Sequence, residues 1–228
     1  MVLMQAERKE QAPYSSWKTA NDVKKLVVSK EIIGHGGNFG LVRSGRVTFN
    51  DGTSSRVAVK GFVDGISEDA VRKYEEAIEK LANAGVKIPK IGFIQYQQKW
   101  VQISSLFGRR DRNRKLFHYP PRLENENQFL QDLAEQASII HKAGFQFVED
   151  SIKWYNTEDG PKPIIVDVDL YARQHALQYP PSVRSSALAV MECVPWELKD
   201  KALKAFLDKI GDIAPEAKKK MMQEMNHA

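Results

Sequence analysis

The sequence predicts an α+β protein with a β-rich first half and a compact, mostly helical second half, and three observations lead there. Short runs rich in β-branched and aromatic residues (LVRSGRVTF, RVAVKGF, IGFIQY and KWVQISSLF) crowd into residues 41–107. Helix-period apolar patterns dominate the chain after residue 124. A composition of 42% hydrophobic and 28% charged residues over 228 positions supplies a core for both halves.

The same composition excludes disorder, collagen and a disulfide-stapled miniprotein. Cys193 is the only cysteine and cannot form an internal bridge; with no signal pattern at the start, it points to a reducing compartment, the cytoplasm by default. No run of about 18 apolar residues is present, so no membrane span is expected. A net charge of +5 is compatible with an acidic or phosphorylated partner and selects none.

Residues 1–29 read as an N-terminal extension, with Asn21 or Asp22 capping a short helix that carries Val23, Leu26 and Val27. A glycine-rich stretch follows Ile33, and LVRSGRVTF and RVAVKGF then flank Asn50-Asp51-Gly52 as a hairpin. Ser67 and Glu68 open a helix with Val71, Tyr74, Ile78 and Leu81 on one face, stopped at Gly85. IGFIQY and KWVQISSLF add two strands to the same sheet. The basic run Arg109, Arg110, Arg112, Arg114 and Lys115 and the Pro120-Pro121 pair mark a boundary. The division is therefore 1–29, 30–108 and 109–228. In the last part, Phe129, Leu130, Leu133, Ala137 and Ile140 form a helix ending near Gly144. IKWY and IIVDVDL flank Thr157–Gly160 as a second small hairpin. A stripe of Leu198, Ala202, Leu203, Phe206, Leu207 and Ile210 precedes a last helix opened by Pro215 after a capping Asp212.

Candidate chemistry begins with Gly34, Gly36, Gly37 and Gly40, where missing side chains allow backbone N–H groups to approach phosphate oxygens. On the partner strand, Val57-Ala58-Val59-Lys60 sets an ammonium beside the space the glycines cover. Ile164-Ile165-Val166-Asp167-Val168-Asp169 reads as an apolar strand that ends in two carboxylates. His35, His118, His141, His175 and His227 show no paired metal-ligand spacing, so zinc is not expected.

Together these segments resemble the protein kinase-like superfamily, whose glycine loop G-x-G-x-x-G-x-V precedes a V-A-I-K strand. The likeness is to small atypical or divergent bacterial-type members, RIO-like and lipopolysaccharide-kinase-like proteins, and it runs from about Lys30 to the C-terminus. It implies a two-lobed fold, with a β-rich N-lobe joined by a hinge to a helical C-lobe. It also implies transfer of the ATP γ-phosphoryl group, with Mg²⁺, to a hydroxyl: Ser or Thr of a protein first, a small molecule or lipid-sugar second. Gly34, Gly36, Gly37, Gly40, Val42 and Ala58 would then surround ATP, Ser104 and Leu106 would flank adenine, and Lys60 would hold phosphates and pair with Glu75, or Glu79, on the following helix. Here Gly34-x-Gly36-x-x-x-Gly40-x-Val42 carries an extra position.

The catalytic loop implied by the resemblance falls on Phe147–Asn156, which reads D-x-x-K-x-x-N and lacks the usual His. It implies Asp150 as base, Lys153 as a charge stabiliser, and Asn156 with Asp167 on the metal. Ser151 takes the base position if no residue is inserted, and Glu149 is a further acid; a non-catalytic pseudokinase then stays open. The 109–115 loop could meet an acidic partner. Only Phe117, His118 and Tyr119 follow it as stacking groups, which argues against nucleic acid.

Overall fold

The computed structural model describes residues 23–35, 40–62, 64–105, 125–157, 160–167 and 181–226. The chain is α+β. Strands β1 (Val23–His35), β2 (Leu41–Phe49), β3 (Ser54–Gly61), β4 (Ile91–Tyr96) and β5 (Lys99–Ser105) form an antiparallel sheet in the order β1-β2-β3-β5-β4. Helix α1 (Glu68–Asn83) lies between β3 and β4 in the chain. Helix α2 (Glu126–Lys142), a 3-10 turn at Glu149–Ser151 and the hairpin β6 (Ile152–Thr157) and β7 (Gly160–Ile165) follow. Helices α3 (Val183–Glu192), α4 (Lys199–Ile213) and α5 (Pro215–Asn226) complete the chain. No helix among the described residues is long and apolar enough to cross a membrane.

Three of the sequence expectations fail. The strand read as ending in the carboxylates of Asp167 and Asp169 stops at Ile165, so Asp167 lies beyond it. Val23–Val28 forms strand rather than helix and pairs with β2 from Val23↔Phe49 onward, so the 29/30 boundary falls inside β1. Asp212 lies inside α4 and does not cap α5, because α4 continues to Ile213. The expected helix cap residues Asn21 and Asp22 lie outside the described residues, as does the 109–115 loop.

Both central helices stop for one reason. Gly85 and Gly144 take φ values of 93° and 88°, which other residues rarely adopt. The next amides return to the preceding turn, Val86 N to Leu81 O at 3.0 Å and Phe145 N to Ile140 O at 3.1 Å. Val86 and Phe145 are then both buried against their own helices. At its start α1 is capped by Ser67, whose hydroxyl accepts from Ala70 N at 3.2 Å.

The larger core gathers Val71, Tyr74, Ile78 and Leu81 of α1 with Phe129, Leu133 and Ile140 of α2 and Phe206 and Ile210 of α4. Tyr74 is stacked between Phe62 and Phe93, with centroids 6.2 and 5.6 Å away, and so fastens α1 to the sheet. The smaller core, Val47, Val57, Val59, Ile94, Val101 and Ile103, covers the opposite face of the sheet. The 86–90 segment ties the halves together: Lys87 N donates to Gln136 Oε1 of α2 at 2.6 Å, and Ile165 N donates to Lys87 O at 2.9 Å.

Candidate functional site

Strand alternation sets the site. Val57 and Val59 enter the smaller core, so Ala58 and Lys60 project from the other face of β3. Val42 lies directly opposite Lys60 on β2, and Gly34 lies opposite Val42 on β1. On the other side, Gln102 of β5 faces Lys60 and Phe93 of β4 faces Gln102. Gly34, Val42, Lys60, Gln102 and Phe93 therefore make one row across the whole sheet. A parallel row of Ser44, Ala58, Ser104 and Ile91 lies two residues along. Gly40, at the entry to β2, adopts φ 130°, a conformation that favours glycine. Gly36, Gly37 and Leu106 lie outside the described residues.

Asp167 reaches this row from the second half of the chain. The Val166 amide donates to Ser151 O at 2.8 Å and the Asp167 amide to the same oxygen at 3.4 Å, which holds the chain leaving β7 against the 3-10 turn. The Asp167 carboxylate then stands 3.6 Å from Lys60 Nζ, with the side chains 30% and 11% exposed. A partly desolvated lysine and a carboxylate, brought from elements far apart in sequence, thus share one side of the sheet.

Other expected partners are not gathered there. Glu75 lies on the exposed side of α1 and makes no ion pair among the described residues. Desolvation by its surroundings pushes its carboxyl above its ordinary value, the opposite of what a neighbouring ammonium would do. Glu79 is also exposed, while Glu76 pairs with Arg72 at 3.1 Å and Lys73 with Asp69 at 2.8 Å, an ordinary solvated face.

Asn156 pairs with Pro161 beside the turn of the small hairpin, whereas Asp167 follows the Ile152↔Ile165 end. Four strand residues, about 13 Å, separate Ile152 from Asn156, so the register does not bring Asn156 to Asp167. Ser151 is fully buried, with its hydroxyl donating to Val148 O at 2.7 Å. That bond closes the 3-10 turn and keeps the Ser151 hydroxyl inside it. Lys153 sits opposite Ile164, and Glu149 is half-buried on the turn. The side chains of Asp150 and Asn156, and all of Asp169, lie outside the described part of the chain.

Gln102 is the residue that sequence reasoning missed. It is 4% exposed, and its Oε1 has no hydrogen-bond partner among the described residues. A glutamine on an apolar strand, one position from each of the buried Val101 and Ile103, was the visible signal; its placement opposite Lys60 was not. Two concavities lie away from the row, one of about 290 Å³ that includes Lys87, Asp132 and Lys162 and one of about 550 Å³ between α4 and α5. No group of three or more metal-ligating side chains occurs among the described residues. No family model and no curated protein matches the chain.

Proposed function

We propose that the chain is an ATP- and Mg²⁺-dependent phosphotransferase of protein kinase-like architecture, two-lobed, moving the γ-phosphoryl group to a hydroxyl acceptor, with Ser or Thr of a protein as first candidate. The observation that supports it is the meeting of Lys60 and Asp167 on the glycine-bearing face of the sheet. The donor set suits the group: Lys60 offers N–H donors to phosphate oxygens, and Asp167 offers the carboxylate oxygen that a hard divalent cation takes alongside water. Bound there, Mg²⁺ would neutralise phosphate charge. Val42 and Ala58 would line the nucleotide beside Gly34 and Gly40, and Ser104 would lie at its adenine end. Glu149 and Asp150, on the turn whose Ser151 carbonyl holds the Asp167 amide, are the acids available as base. The base takes the acceptor's proton, the acceptor oxygen bonds to the γ-phosphorus, and the bond to the β-phosphate oxygen breaks with its electron pair leaving on ADP. Metal binding in this reading rests on Asp167 and not on Asn156.

A second reading, nucleotide binding without transfer, is favoured by the displacement of Asn156 to the far end of its hairpin. Labelled γ-phosphate transfer to the protein itself and to a mixed lysate, with Mg²⁺, separates the two. Under the first reading wild type transfers label and Asp167→Asn does not. Silent proteins that still bind ATP would establish the second, and silence without binding would remove both.

A further inference from the structure

The orphan oxygen of Gln102 is the feature of this sheet that the proposed reaction leaves unexplained. Buried amide oxygens are almost always paired, because water is lost without a substitute. Gln102 has two direct cross-strand neighbours, Phe93 and Lys60, and all three side chains share a face. Phe93 has no polar hydrogen; Lys60 carries an ammonium with three donors. Side chains directly opposite on antiparallel strands have Cβ atoms about 5 Å apart, within reach of a lysine stem and a glutamine amide.

We infer that Gln102 is a positioning residue for Lys60: its Oε1 receives one ammonium N–H when Asp167 turns to a metal, a role that rests on the nucleotide reading above. In this structure Lys60 leans on Asp167 at 3.6 Å. A cation drawing on the Asp167 carboxylate competes for that partner, and the acceptor opposite Lys60 on the next strand is Gln102. The amide thus does the work that a carboxylate on α1, expected at Glu75, does not do here. It accepts one N–H and leaves the other two ammonium donors to phosphate oxygens.

Gln102→Met nearly conserves volume and deletes the acceptor, whereas Gln102→Glu keeps one. Calorimetric titration with Mg·ATP should show Gln102→Met weakening affinity about tenfold. Its melting temperature should be unchanged or higher, since a buried unpaired oxygen is gone. Gln102→Glu should return affinity to within about threefold of wild type, a rescue that a purely packing role would not produce. In a Lys60→Met background, Gln102→Met should cost nothing further. Additive losses in that cycle, or equal losses for Met and Glu, overturn the inference. If wild type binds no Mg·ATP, the nucleotide reading is what fails. The Lys60–Gln102 pair is then decided by urea unfolding of the same cycle in an Asp167→Asn background, where the Asp167 carboxylate no longer competes: non-additive midpoints sustain the pair and additive ones refute it.

Discussion

The two faces of the five-stranded sheet are made by the same strands and do opposite things. One buries Val47, Val57, Val59, Ile94, Val101 and Ile103 as a continuous aliphatic layer. The other, shifted by a single residue along each strand, carries Gly34, Val42, Lys60 and Gln102, and meets Asp167. A one-residue shift in a strand moves every side chain to the opposite face, so the aliphatic layer that stabilises the sheet also dictates where the ammonium points. Stability and site are therefore coupled through register while remaining separable by mutation.

That separation is open to test. The largest loss of stability is expected for Ile103→Ala, which empties a fully buried position and should cost about 2–5 kcal/mol in urea unfolding. Gly45→Ala is next, at about 1–3 kcal/mol. A Cβ there would stand 2.8 Å from Val59 Cγ2 and 3.0 Å from the Val27 carbonyl, so the β1–β2–β3 layer would have to shift. Lys60→Ala should cost less stability than Ile103→Ala, because the Asp167 carboxylate it leaves behind is 30% exposed and can be hydrated, while nucleotide affinity falls about tenfold or more. A loss of stability from Lys60→Ala as large as that from Ile103→Ala would break the division between the faces.

The smallest effect is a slope with pH. Burial lowers the pKa of His141, on α2, from its ordinary 6.5, so the unfolded chain binds the proton more readily than the folded one. The stability tied to a neutral His141 is complete above pH 6.5 and is lost as pH falls below that value towards the lowered one. Unfolding midpoints of wild type and His141→Leu, compared across that range, should show a shallower acid slope in the variant.

Much of the fold was legible because strong local signals agreed with it. The β-branched and aromatic runs RVAVKGF and KWVQISSLF, the helical stripe of α1 and the glycines at 85 and 144 all match the elements formed. The segment from Val23 was misread because its apolar residues at 23, 26 and 27 suit a helix, and an edge strand does not enforce alternation. Leu26 and Val28 do pack on the smaller core, but Val27 between them is an apolar residue on the exposed face, 51% accessible, which hid the period of two. The site was half legible. Lys60 was named from its strand and Asp167 from the apolar run that ends β7, two residues before it, and the structure brings them together. Asn156 was matched by spacing alone, although the turn at Thr157–Gly160 already implied its place at the far end of the hairpin. Gln102 was out of reach, since its meaning depends on β3 pairing with β5 across the intervening α1 and β4.

The central claim is that the face carrying Gly34, Val42, Ala58 and Lys60, with Asp167, receives a metal-bound nucleotide. Amide-resolved NMR titration of the full chain with Mg·ATP tests it directly. The account predicts shifts concentrated at Gly34, Val42, Ala58, Lys60, Ser104 and Asp167, and sharply reduced in Lys60→Ala. An unchanged spectrum, or shifts gathered instead at the concavity between α4 and α5, would contradict it.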